Sequence, residues 1–273
     1  MIRRPTGWKT DEPDARDFKA SSVLNATPLE LPRQAFPSLA RFREVRQYQG
    51  SYQACWAFAM ARCLHMNLLA RGFRVGFPST AFLYRIGRSE EYAGLAADTV
   101  PMDLPDTGTY PRLGIKATQD LGFVEWSVWR YPERVSVRPH PGIYLRAISQ
   151  ADLLYSRVTE ERDDCCEVIR EALFASQSVK LGLRVGKTFE AWEGARTIQA
   201  SDFRDGDSGH MVAVLEDDPP NRRMLIDNWW SRWGMEDGTA WLSYDAIGDG
   251  DICSDRYVIR AATAGLLAGP SFR

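Results

Sequence analysis

Residues 55–71, CWAFAMARCLHMNLLAR, are apolar on almost every side of a helical repeat, and Gly72 follows as a stop signal. The run reads as a mostly apolar helix, the central one of the first lobe. Cys55 opens it, and Gln49 lies six residues earlier in QGSYQACWAF. The free N–H groups and positive dipole end of a helix start lower a cysteine's pKa and favour the thiolate. Thiolate attack on an acyl carbon creates an oxyanion, which calls for the Cys55 backbone N–H and a side-chain amide such as that of Gln49. The stretch reads as a nucleophile with its oxyanion donor.

A thiolate of this kind needs an imidazole partner, and the sequence holds three histidines, His65, His140 and His210. His65 lies ten residues along the same helix, carried away from its start, and His140 sits in PHP, a loop signal. His210 heads the strand-like run HMVAVLED. A second run, MLIDNWW, follows residues 217–221, and the two predict a hairpin through a Pro-containing turn.

These segments resemble the signatures of the papain-like (C1 family) cysteine peptidases, bacterial-type without a propeptide. QGSYQACWAF is similar to the family's QGxCGSCWAF, with Tyr52 in place of a disulfide cysteine, Gln53 in place of glycine and Ala54 where serine or alanine is usual. SGHMVAVLEDD resembles GHAV, and LIDNWWSRWG resembles IKNSWGxxWG. The resemblance implies a catalytic set of Cys55, His210 and Asn228, with Gln49 at the oxyanion. The distance from Asn228 to Trp233 and Gly234 is one residue shorter than in the family pattern, so counting back from those two makes Asp227 the orienting residue instead. Alternation along a strand permits one of the two to face His210; Asn228 shares the parity of the apolar Met224 and Ile226 and is preferred. Trp229 or Trp230 is then the indole that covers the site.

The resemblance also implies the substrate contacts. The stretch DTGTY, residues 106–110, stands for a motif whose glycines pair with the substrate backbone, so that Gly108 holds the first glycine position and Thr109 the second. Gly209 and Trp230 complete this group. Gln53 and Thr109 each add a side chain where the family has glycine, which predicts a narrow cleft favouring small residues next to the scissile bond. GWKTDEPDARDF, residues 7–18, resembles the entry strand of bacterial members.

Composition agrees with a globular enzyme: 273 residues, 44% hydrophobic and 26% charged. A net charge of −2 with interspersed signs gives no footprint for nucleic acid, and no apolar run reaches the roughly 20 residues of a membrane span. The start of the sequence has no apolar signal-peptide core, and only 54 residues precede Cys55, which leaves no room for an inhibitory propeptide; the chain is expected to be competent as made. Five cysteines, with Tyr52 at the usual disulfide position, suit a reducing, cytoplasmic setting, with carriage in a virion or delivery into another cell as the other possibilities. No cysteine or histidine stands at zinc-ligand spacing, so neither metal nor other cofactor is expected, and the expected partner is a peptide or protein substrate.

The predicted fold is α+β, papain-like and two-lobed. A helical lobe over about 50–138 carries helices at 55–71, 79–90 and 111–121. A β-barrel-like lobe over about 139–261, joined by the first residues, has a helix near 159–175 and strands at SVKLGLRV, HMVAVLED, RMLIDN, TAWLSY and RYVIRAA. A tail follows from Ala262. The expected activity is peptide hydrolysis; a non-catalytic binder that keeps the cleft, or an amidase, isopeptidase or transamidase with the same triad, are the alternatives.

Overall fold

The computed structural model describes residues 4–26, 38–43, 46–93, 101, 103–148 and 153–261. In chain order its regular elements are α1 (Ala20–Ala26), α2 (Cys55–Ala70), α3 (Thr80–Ser89), α4 (Pro111–Leu121), α5 (Pro141–Ile148), β1 (Leu153–Arg157), α6 (Arg162–Phe174), β2 (Ser178–Val185), α7 (Lys187–Glu190), β3 (Ser208–Asp218), β4 (Arg223–Asp227), β5 (Thr239–Ser243), α8 (Tyr244–Gly248) and β6 (Cys253–Ala261).

The α2 helix is buried at every residue from Cys55 to Leu68, as its all-round apolar sequence requires. It packs against α3 and α4 on the helical side and against β2, β3 and β6 on the other. Local chemistry sets the neighbouring starts. The Ser79 hydroxyl caps α3 by accepting from the Phe82 N–H at 3.0 Å. Pro111, with its fixed φ, takes the first position of α4.

All the strands pair antiparallel, in the order β1-β6-β2-β3-β4-β5. The expected barrel-like closure is not there: the sheet is open, with β1 and β5 at its two edges. Isolated bridges touch those edges, Lys19 to Arg157 on β1 and Ile198 to Leu242 on β5, so segments from elsewhere in the chain lie where a closing strand would. The predicted hairpin forms between β3 and β4 through a short turn over Pro219–Asn221, with Arg222 left-handed.

Five elements lay outside the sequence reading: α1, α5, β1, α7 and α8. Residues 7–18 form no strand beyond a single bridge between Trp8 and Thr109. The tail from Ala262 lies outside the described residues.

Candidate active site

Cys55 sits where the start of α2 meets the start of β3. Complete burial pushes the Cys55 thiol up to about 12, outweighing the nearby main-chain groups of Met211, Trp56, Cys55 and Trp8, which favour the thiolate. Met211 follows His210 directly. The His210 imidazole is fully buried, and burial lowers its pKa to about 3, so the ring is neutral. Asn228 Oδ1 lies 2.8 Å from His210 Nε2 and also accepts from the Trp229 N–H at 2.6 Å. An amide oxygen only accepts, so Nε2 carries the proton and donates. Nδ1, buried and without a hydrogen-bond partner, keeps its lone pair.

Asp227 turns the other way. Its Oδ2 lies 2.8 Å from Arg62 Nε, on α2, and its Oδ1 lies 2.9 Å from Arg43. The strand parity that favoured Asn228 therefore separates an imidazole-facing amide from an arginine-facing carboxylate. The two indoles also divide. Trp230 stacks on the His210 ring with centroids 4.0 Å apart, whereas Trp229 packs beside Phe58 and donates from Nε1 to the Met211 carbonyl at 2.9 Å.

Gln49 is fully buried, held by its N–H to the Trp229 carbonyl at 2.9 Å and by the Tyr131 hydroxyl, which donates to its main-chain oxygen. Its Nε2 donates to the Tyr52 carbonyl at 2.6 Å and reaches the Pro5 carbonyl at 3.3 Å. The Trp230 indole N–H donates to the same Pro5 oxygen at 2.9 Å.

The chain's own residues 5–9 occupy the place where the sequence reading put substrate. Gly7 N–H and Trp8 N–H both donate to the Gly209 carbonyl, at 3.0 and 3.2 Å, while Thr109 N–H donates to the Gly7 carbonyl at 2.9 Å. Lys9 N–H completes the pairing by donating to the Thr109 carbonyl at 3.3 Å. This close approach explains two glycines. A Cβ on Gly108, whose φ is +78°, would come within 2.1 Å of the Gly7 oxygen, and one on Gly209 within 2.5 Å of the Trp8 oxygen. Residues 5–9 cover the cleft of a chain expected to be competent as made, and Cys55 has no exposed surface.

Gln53 borders the segment in the cleft with its main chain and Cβ while its amide turns away, and the Thr109 side chain points toward α3. Gln53 Nε2 donates to the Asp106 carbonyl at 2.6 Å, and the Thr109 methyl faces Gly87 of α3. Asp106 in turn accepts from Gln53 N–H at 3.0 Å and Tyr84 Oη at 2.5 Å, and Tyr84 Oη accepts from Gly108 N–H at 3.1 Å. This network fixes the rim carrying Gly108 and Thr109; Gln53, Asp106 and Gly108 stood out separately in the sequence, and Tyr84, which joins them, is the member that sequence reasoning missed.

The other four cysteines, Cys63, Cys165, Cys166 and Cys253, are buried and free. Among the described residues no cluster of histidine, cysteine, aspartate and glutamate could hold a metal ion, and no helix is long and apolar enough to cross a membrane.

An antiparallel sheet laid on a buried central helix, with a cysteine at the helix start beside a histidine–asparagine pair, is the papain-like α+β fold. Solved structures agree: xylellain, a cysteine protease from Xylella fastidiosa, superposes with a TM-score of 0.75 at 22% identity, covering 96% of this chain and 99% of that one. The Carica candamarcensis cysteine protease CMS1MS2, in complex with E-64, matches at a TM-score of 0.60 and 19% identity over 85% of this chain and all of that one. A peptidase C1-like protein of Acanthamoeba polyphaga mimivirus is 25% identical over 225 residues, 79% of this chain and 69% of its own length. No family model matches the chain.

Proposed function

We propose that the chain is a cysteine peptidase in which Cys55, His210, Asn228 and Gln49 act as a unit. The observation that carries the reading is the 2.8 Å hydrogen bond from His210 Nε2 to Asn228, which leaves the Nδ1 lone pair for a thiol beside the main chain of the next residue. Nδ1 takes the Cys55 proton, and the sulfur attacks the peptide carbonyl. The Cys55 N–H and Gln49 Nε2 hold the oxyanion. The imidazolium gives its proton to the leaving amine as the C–N bond breaks, and water, deprotonated by His210, then releases the acid from the thioester. Substrate lies between Gly108–Thr109 and Gly209, with Trp230 over the imidazole. No step uses a metal or cofactor. The free thiols fit a reducing, cytoplasmic compartment.

Intact-mass labelling by E-64 tests this reading. One adduct, lost in Cys55→Ser and strongly slowed in His210→Ala, is expected together with hydrolysis of peptide amides by the wild type. A chain that labels but turns over no peptide amide would favour the amidase, isopeptidase or transamidase alternative. The occupied cleft favours a second reading, a non-catalytic binder; an unlabelled Cys55 in a variant with the cleft cleared would establish it.

A further inference from the structure

Asn228 and Trp230, the two residues that touch the His210 ring from one side of the site, both lie in the connection from β4 to β5. Residues 228–238 of that connection run through turns, with no helix or strand to hold their shape. The first limb is gripped from outside. Gln49 N–H donates to the Trp229 carbonyl at 2.9 Å, and Arg46, earlier in the same short segment, donates from Nη2 to the Trp230 carbonyl at 3.1 Å. The guanidinium also reaches the far limb, where Nη1 donates to the Glu236 carbonyl at 2.7 Å. Gly238 makes room for it: its φ is +83°, and an added Cβ would fall 2.6 Å from Arg46 Nε, Cζ and Nη2. The Tyr48 ring lies 4.8 Å from the same guanidinium.

Building on the peptidase reading, we propose that Arg46 is a positioning residue for the reaction: it clasps the two limbs of the β4–β5 connection and, by fixing the Trp230 main chain, holds the indole flat over His210. Asn228 N–H to the Gly238 carbonyl, at 3.2 Å, closes only the mouth of the connection, and Arg46 closes it further along. The ring contacts of Trp230 with Phe189 and Trp233 are edge-on, at 5.9 and 6.3 Å, and limit its tilt without anchoring its main chain. Arg4 donates to the Ser231 and Arg232 carbonyls from the segment in the cleft, a hold that is given up when substrate takes that place. Arg46 belongs to the body of the fold and stays. Two carbonyls on opposite limbs need two donors at a fixed spacing, which a guanidinium has and an ammonium lacks. Because Gln49 and Arg46 hold consecutive carbonyls, one piece of chain sets both the amide proposed for the oxyanion and the cover over the imidazole.

The consequence is read at His210. Stacked at 4.0 Å, the indole keeps water from the ring, and burial is what lowers the imidazole pKa to about 3, against the hydrogen bond to Asn228 and with a smaller push from Arg4. Among the described residues its other neighbours are the Phe189 ring and, from the start of α2, the thiol of Cys55, which burial keeps neutral. A loosened Trp230 admits water, and relief of burial moves the pKa upward.

The experiment uses the full chain as wild type, Arg46→Lys and Arg46→Ala, each carrying 15N-labelled histidine. NMR follows protonation of the His210 ring from neutral pH downward, its signal assigned by its loss in His210→Ala, a measurement that needs no turnover. The midpoint is expected to rise by about 1–2 pH units in Arg46→Ala. Arg46→Lys, which keeps the charge and loses the fork, should rise with it. On a peptide amide both variants should lose about 10-fold in kcat with KM within about twofold of wild type, because Arg46 touches no substrate. An unchanged midpoint in both variants, or a change confined to KM, overturns the proposal even where wild-type hydrolysis is robust. A rise in Arg46→Ala that is absent from Arg46→Lys assigns the effect to charge and overturns the clasp. A rise in both variants of a chain that hydrolyses no peptide upholds the clasp and overturns the peptidase reading. Should Arg46→Ala not fold, the midpoint of Arg46→Lys carries the same decision.

Discussion

Asp227 and Asn228 are neighbours in the chain that serve opposite sides of one strand end: the amide oxygen of Asn228 meets His210 Nε2 at 2.8 Å, and the carboxylate of Asp227 is shared by Arg43 and Arg62. Their substitutions should therefore fail in different ways. Asn228→Ala frees the imidazole to turn and should lower kcat by roughly 10- to 100-fold, less than the full ~10²- to 10⁴-fold of general-base catalysis because the imidazole itself is kept, with the melting temperature nearly unchanged. Asp227→Ala removes the carboxylate that pairs with the fully buried Arg62 and should cost about 3–5 kcal/mol of stability in urea unfolding. Loss of turnover in a fully stable Asp227→Ala protein would show that the carboxylate, not the amide, serves His210.

On the proposed role of Gln49 at the oxyanion, Gln49→Ala should reduce kcat about 10²- to 10³-fold without a matching change in KM, because such a contact is made only in the transition state. Steady-state kinetics on a peptide amide decide the point. A change confined to KM would make Gln49 a ground-state contact.

Tyr84 holds the Gly108–Thr109 rim, proposed to line the substrate, through two hydrogen bonds, to Asp106 and from Gly108. Tyr84→Phe should raise KM several-fold, the size expected for about 1 kcal/mol, and leave kcat in place. Gln53→Gly should leave the preference next to the scissile bond unchanged in a peptide library, since that side chain is spent on Asp106.

Lys180 is fully buried, its Nζ has no hydrogen-bond partner, and it lies over the rings of Trp56 and Tyr257. Burial lowers its pKa from 10.5 to about 7. Between those values the unfolded chain holds a proton that the folded chain has released, so this group makes stability rise with pH across that window. Lys180→Met should be more stable than wild type at pH 7 and below, and the difference should shrink toward pH 10. Denaturation of the pair at four or five pH values checks it; a constant difference would mean that the amine is not the titrating group.

Of the five thiols, Cys55 alone should alkylate under native conditions, because the cover over it is a short extended segment and the covers over Cys63, Cys165, Cys166 and Cys253 are core. Burial pushes Cys55, Cys63 and Cys253 alike up to about 12, so the contrast comes from the covers: only the one over Cys55 can lift without unfolding the core. Mass-spectrometric mapping with and without denaturant measures the contrast.

What the sequence made legible followed from side-chain type. A mostly apolar run announced α2, and the shared parity of Met224, Ile226 and Asn228 chose the residue that meets His210. What stayed hidden follows from main-chain chemistry and from long range. Gly7 and Trp8 grip the cleft through N–H and C=O groups that every residue carries, so GWKTDEPDARDF read as an entry strand. The pairing of Arg62 with Asp227 joins distant segments that carry no mutual signal. Strand patterns gave the β-rich lobe correctly but not its open edges, because alternation reports which face is buried and says nothing about where the last strand stops.

The burial of α2 along nearly its whole length sets a limit on how fast this molecule can work. Cys55 is rooted in the most enclosed helix of the fold and cannot swing outward to meet a substrate. Access must come from the short stretch above it, held by a handful of hydrogen bonds at the mouth of the cleft. Turnover then has a ceiling equal to the rate at which that stretch lifts, and the amide protons of Trp8 and Lys9 are its clock: they should exchange with deuterium long before those of the helix beneath, at a rate that no acceleration of the chemical step can exceed.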